Sequence, residues 1–178
     1  MRTPVLERVE KRAGAVGGAA YTGVLCLLVL AASGAIGLLL KTPWLFPSLG
    51  PTVMLFFSSP KDPSSRPLNA GVGHAVGIVA GVLCLFLFGM NGMPSAPDAG
   101  LSPGYVGAGA LSVAITAFVL HALKLPHPPA GATTLIISLG IIANPVGVLS
   151  MAAAIGFVIV AGWALNWLLG FAPAGVRE

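Results

Sequence analysis

The sequence predicts an all-α membrane protein: four long transmembrane helices plus two broken, half-helix segments, arranged as two inverted three-segment repeats in a single transmembrane domain over residues 1–178. Composition is the first reason. Of the 178 residues, 56% are hydrophobic and only 8% charged, against roughly a quarter charged in soluble domains. The second is where charge is missing. No Asp, Glu, Lys or Arg occurs between Ala13 and Leu40, between Pro67 and Pro97, or between Leu125 and Val176, and about 20 apolar residues suffice to cross a bilayer. The third is an internal echo. "PSLGPTVML" (Pro47 to Leu55) overlays "PPAGATTLI" (Pro128 to Ile136), placing Pro47 on Pro128, Gly50 on Gly131 and Thr52 on Thr133 at a constant offset of 81 residues.

The elements follow in order. Arg2, Arg8, Lys11 and Arg12 resemble the basic start of a signal peptide, but the apolar run behind them is longer than a typical signal core, so residues 18–40 are expected to stay as the first transmembrane helix. "KTPWLFP" then leads into a short apolar piece, Pro47–Ser59, and residues 68–89 form the second long helix. A polar connection, 91–104, carries Asp98 and no basic residue. Residues 105–123 form the third long helix, "KLPHPP" leads into the second short piece, Pro128–Ala143, and residues 146–170 form the fourth. Trp163 and Trp167 near its end are expected in an aromatic belt. A helix of 12 residues rises only about 18 Å, so neither short piece spans the bilayer as a straight helix.

Each short piece either re-enters and leaves on one face, or crosses as extended chain plus half-helix. Re-entry puts Lys41, Lys61, Arg66 and Lys124 outside against five basic residues inside; crossing leaves only Lys41 outside. The positive-inside rule favours crossing. Six crossings result, with both termini cytoplasmic in a bacterial-type inner membrane and the 91–104 connection extracytoplasmic. Residues 18–89 and 105–170 are then the two copies, and three crossings per copy make the second inverted relative to the first. The net charge of +4 is no nucleic-acid signal, because the basic residues lie at segment ends where topology accounts for them.

Discontinuous helices in inverted repeats place a binding site at the bilayer midplane, and irregular backbone survives there only where protein or water satisfies it. Proline suits such a stretch because it has no N–H to satisfy, and Ser48 or Pro129 fits the first turn of a half-helix. Gly50 and Gly131 allow a close approach of backbone or ligand. Each half-helix N-terminus is expected to offer unpaired N–H groups and about half a positive charge. The expected substrate site is therefore Ser48, Gly50, Thr52, Pro129, Gly131, Thr133 and Thr134, with hydroxyls adding donors and a small anion as ligand.

"HPPAGATTLI", with "PSLGPTVMLFFSSP" and "RPLNAGVGH" upstream, resembles the HPP family of integral membrane proteins over roughly residues 15–172. The resemblance implies a compact membrane domain. Some plant and cyanobacterial members act in nitrite transport, which makes nitrite the lead for a substrate.

Of the polar residues, His74, His127 and Asn69 are assigned to access or gating. His127 either contacts solute or proton, or belongs to a helix-breaking linker and hydrogen-bonds a carbonyl. His74 should face the bundle interior, since burial in lipid is costly, and there it either helps gating or bridges helices. His121 is expected at the interface, and Asn69 and Asn166 favour inter-helix hydrogen bonds. Cys26 and Cys84 lack metal-ligand spacing and read as lipid- or core-facing thiols. No acidic residue falls inside a membrane segment, which disfavours a carboxylate proton relay and cation selection by acidic rings. No metal, cofactor or catalytic residue is expected: H-E-x-x-H and G-x-S-x-G are absent and no acid lies near a histidine in sequence. The expected function is a transporter or channel for a small anion. The rival is a non-transporting structural or signalling membrane module, whose midplane would pack dry. The expected partners are the bilayer, the anion and a second copy of the chain, because a chain this short needs a partner to seal its breaks.

Overall fold

The computed structural model of the chain describes residues 3–171; Arg2, residues 172–178 and hence both chain termini lie outside the described residues. All regular structure within them is helical: α1 (Val5–Leu40), α2 (Leu49–Ser58), α3 (Pro67–Leu87), α4 (Ala96–Ala99), α5 (Pro103–Ala122), α6 (Ala130–Ser138) and α7 (Pro145–Leu168), with a 3₁₀ turn at Pro63–Ser65. Four of these, α1, α3, α5 and α7, are long and apolar enough to cross a membrane. The protein is a multi-pass membrane protein in contact with the lipid bilayer.

Local chemistry sets the starts and stops. α3, α5 and α7 each begin with proline in the first turn, where the missing N–H costs nothing. Ser102 and Asn144 cap α5 and α7 by accepting from the N–H groups of Tyr105 and Gly147. α1 begins well before residue 18: Pro4 sets its N-cap, and a non-helical Gly14 (φ 59°) separates the charged turns Val5–Ala13 from the apolar remainder. The expected second short piece also ends early, at Ser138, because Gly140 takes φ 73° and its N–H closes back on the Ile137 carbonyl. Lys41 and Lys124, each just past the end of a long helix, share the same left-handed φ of 55°. Holding a non-glycine residue there costs about 1–2 kcal/mol, and in both places it turns the chain into the approach to a short helix.

The two ends of the molecule can be read from contacts. At one end Lys61 pairs with Glu7 at 2.6 Å, the Val5 N–H donates to the Leu169 carbonyl, and Asn69 donates to the Pro126 carbonyl. At the other, Ser150 donates to the Pro43 carbonyl, the Ala96 N–H to Leu139 and the Tyr105 hydroxyl to Pro94. The 59–66 connection thus returns to the end where α1 starts, instead of staying where α1 finishes. α2 runs from the interior toward the first end and α6 from the interior toward the second.

α2 is enclosed. Leu49, Val53, Phe56 and Phe57 are all fully buried, packed with Leu25 and Val29 of α1 and with Met151, Ile155 and Val158 of α7. Trp163 belongs to this core: it is 7% exposed and its indole N–H donates to the Ser65 carbonyl at 2.8 Å. The aromatic-belt expectation is therefore corrected for Trp163, whose N–H satisfies a backbone carbonyl that apolar surroundings would otherwise leave unpaired, while Trp167 is exposed. α3 packs on α5 and α6, and α7 on α1 and α2. Gly73, Gly77 and Gly81 form one stripe on α3, and a Cβ on any of them would fall 2.8–2.9 Å from atoms of His127, Ala130, Thr134 or Ile137. Close approach of backbones is how helices gain contact in lipid, where no hydrophobic drive brings them together.

Candidate functional site

The stripe on α3 carries His74 into the middle of the bundle. Its Nδ1 lies 2.7 Å from the Thr133 hydroxyl in the first turn of α6, and its Nε2 lies 3.0 Å from the Thr52 hydroxyl in the first turn of α2. One imidazole therefore joins the starts of both short helices. The approach to α6 adds His127, whose Nε2 lies 3.3 Å from His74 Nε2 and 3.5 Å from the Thr52 hydroxyl, with the rings edge to face at 4.9 Å. His127 Nδ1 lies 2.8 Å from the Ser64 carbonyl. Thr52, His74, His127 and Thr133 are each at most 2% exposed.

Hydrogen-bond chemistry assigns the protons. A carbonyl only accepts, so His127 Nδ1 donates to Ser64 and its Nε2 is a bare lone pair. The Thr52 hydroxyl donates to the Ser48 carbonyl at 2.9 Å. His74 Nε2 must then carry the proton shared toward Thr52 and His127, because otherwise two bare nitrogens would face each other. His74 Nδ1 accepts from Thr133. In the neutral cluster this arrangement uses every donor.

The structure brings Thr52, Thr133, His74 and His127 together. Thr134 lies one step aside, its hydroxyl 2.9 Å from the Ala130 carbonyl and 3.0 Å from the hydroxyl of Thr116 on α5, a residue that sequence reasoning missed. Ser48 caps α2, fully buried, its hydroxyl without a partner. Pro129 is the buried N-cap of α6. Gly50 and Gly131 sit in the matching first turns, and a Cβ on either would meet nothing within 4 Å. Asn69 stands apart from the cluster, bonded to the Pro126 carbonyl, and Asn166 bridges to the Phe56 carbonyl. His121 is exposed. A cleft of about 280 Å³ beside α5 is lined by His121 and Pro126 at exposed positions and by Thr116, His127 and Gly131 deeper in.

One expectation changes. The N–H groups of Ala130, Gly131 and Ala132 close tight turns on the carbonyls of His127, Pro128 and Pro129, each at 3.1 Å, and the Leu49 N–H closes on Phe46. Pro129 sits in the helical region at ψ −20°, so "HPPA" winds a turn that consumes donors expected to be free. The hydroxyls and imidazoles face the cluster, with the positive ends of two helices behind them.

Among the described residues, no group of three or more His, Cys, Asp or Glu side chains is placed to hold a metal ion. Thr116 was hidden because a threonine inside an apolar helix usually bonds its own preceding turn; it does that here too, to the Ser112 carbonyl at 2.9 Å.

No curated protein and no solved structure matches the chain. A family model does, described as "HPP, transmembrane region", and it covers residues 11–170, including both short helices and both histidines of the cluster. The chain belongs to the HPP family of transmembrane proteins.

Proposed function

We propose that the protein is a transporter or channel for a small anion of nitrite size, which binds at the bilayer midplane between the starts of α2 and α6. The observation that carries this is the His74 bridge: Thr52 and Thr133, first-turn residues of two short helices that run in opposite directions, bond the two nitrogens of one ring. Both positive helix ends then converge on a cluster to which no acidic side chain contributes, and that field attracts an anion. Two inverted repeats, 18–89 and 105–170, account for the arrangement. Leu49 and Ala130, the first residues of the short helices, keep the 81-residue offset, and α1 packs on α2 as α5 packs on α6. In this orientation both termini and the 59–66 connection face the cytoplasm of a bacterial-type inner membrane.

Burial supports a second reading. The cluster is closed and nearly inaccessible, as in a non-transporting structural or signalling module. Flux decides between them. Purified protein in liposomes should move nitrite, nitrate or chloride, and Gly131→Leu should abolish that flux while the protein stays folded, since the added side chain fills the cleft. Movement of no small anion by the native chain leaves the structural module standing. Flux unaffected by Gly131→Leu removes the cleft as the route.

A further inference from the structure

We propose that the His74–His127 pair takes up one proton with each anion, so that the two cross as an electrically neutral pair. This rests on the transport reading of the same site and adds a co-substrate to it. In the closed cluster one lone pair is uncommitted to a strong donor of its own: His127 Nε2, which shares the single His74 Nε2 proton at 3.3 Å. Its other nitrogen is fixed by the Ser64 carbonyl and cannot take a proton.

A proton arriving from water bonds to His127 Nε2. The hydrogen bond from His74 is lost, and two N–H groups then face each other across 3.3 Å. That contact is repulsive, so the rings must part. Both N–H groups and the Thr52 oxygen then border the gap. An anion accepts from both N–H groups at once and cancels the imidazolium charge. On release at the other face the proton leaves His127 Nε2 for water, the anion departs, and the His74 to His127 hydrogen bond reforms. No bond to carbon changes and nothing is oxidised.

The surroundings allow no cheaper counter-charge. α2 offers Thr52; α6 offers Thr133 and Thr134; α5 offers Thr116 and, at the cleft mouth, His121. α3 offers Gly73 and Asn69, and α7 contains no titratable Asp, Glu, Lys, Arg or His. The 59–66 connection brings the Ser64 carbonyl, with Lys61 and Asp62 exposed and Arg66 half-buried. Glu7 and Glu10 lie on the far turns of α1, with Glu7 paired to Lys61. Among the described residues no carboxylate touches the pair. A lone proton there would be a buried charge without a partner, and so would a lone anion. Each makes the other affordable in the interior. The unpartnered, fully buried Ser48 hydroxyl is a further donor at the start of α2.

The test is anion entry into liposomes holding the full chain and a pH-sensitive dye, with membrane potential clamped by potassium and valinomycin. Nitrite and nitrate are the probes, and protein-free liposomes correct for leak of the neutral acid. The expected result is one proton entering per anion, a rate independent of the clamped potential, and accumulation of about tenfold for an inward gradient of one pH unit. His127→Gln, which cannot gain charge, should lose the acidification. Anion entry that follows the potential and leaves the internal pH unchanged overturns the coupling and keeps the transport reading. No entry of either anion overturns both.

Discussion

Replacing Gly77 by alanine, beside Gly131 by alanine, separates packing from helix propensity with the same added methyl group. At Gly77 a Cβ would lie 2.8 Å from the Ala130 carbonyl oxygen and 2.8 Å from the Thr134 hydroxyl. Ordinary contact begins near 3.4 Å, so α3 and α6 would have to separate by about half an ångström, and a backbone carbonyl in a helical turn cannot swing aside. Overpacking of this kind costs about 1–3 kcal/mol. At Gly131 nothing lies within 4 Å of a Cβ, and exchanging glycine for alanine in a helix gains up to about 1 kcal/mol. The two variants should therefore differ in sign. Unfolding of the purified protein in detergent, followed by circular dichroism, reads the difference. Gly77→Ala should also weaken the His74 to Thr133 hydrogen bond, since the stripe that seats α3 on α6 is what brings them to 2.7 Å. Equal stability of the two variants would refute the argument, because it would mean that the contact between α3 and α6 is not close enough for a methyl group to matter.

Topology is open to labelling. In a Cys26→Ser, Cys84→Ser background, a cysteine at exposed Pro97 should react with an impermeant thiol reagent from outside intact cells and one at exposed Pro63 should not; the reverse pattern would sink the six-crossing arrangement and return the short helices to re-entrant hairpins, and reaction of both would mean that α3 between them does not cross. Asn166→Leu removes the donor to the Phe56 carbonyl in a fully buried setting. It should destabilise by about 1–3 kcal/mol in the same detergent unfolding, and an unchanged midpoint would mean that another group satisfies that carbonyl.

The sequence by itself determined the membrane class, the four long helices and the start of both short ones. These are local properties. Charge-free runs mark what lipid accepts, proline marks where a helix can begin, and the 81-residue echo put the start of α2 and of α6 in register. The same locality explains what was misread. Residues 5–13 look like a polar leader, yet Pro4 starts helical turns there that run up to the non-helical Gly14, ahead of the apolar remainder of α1. Trp163 and Trp167 are alike in sequence, and only the position of Ser65, nearly a hundred residues away, draws one of them into the core. Only the tertiary structure decided the site. His74 and His127 are separated by 53 residues, and their meeting depends on α3 lying against α6 through glycines whose spacing has no unique partner in the sequence. The donors of α6 were likewise settled by three dimensions: a proline-rich approach is compatible with a free helix end or with a tight turn, and the chain winds the turn. Helix-forming patterns are written within a few residues of each other, whereas a buried hydrogen-bond cluster is written in the distances between segments, which composition and spacing do not encode.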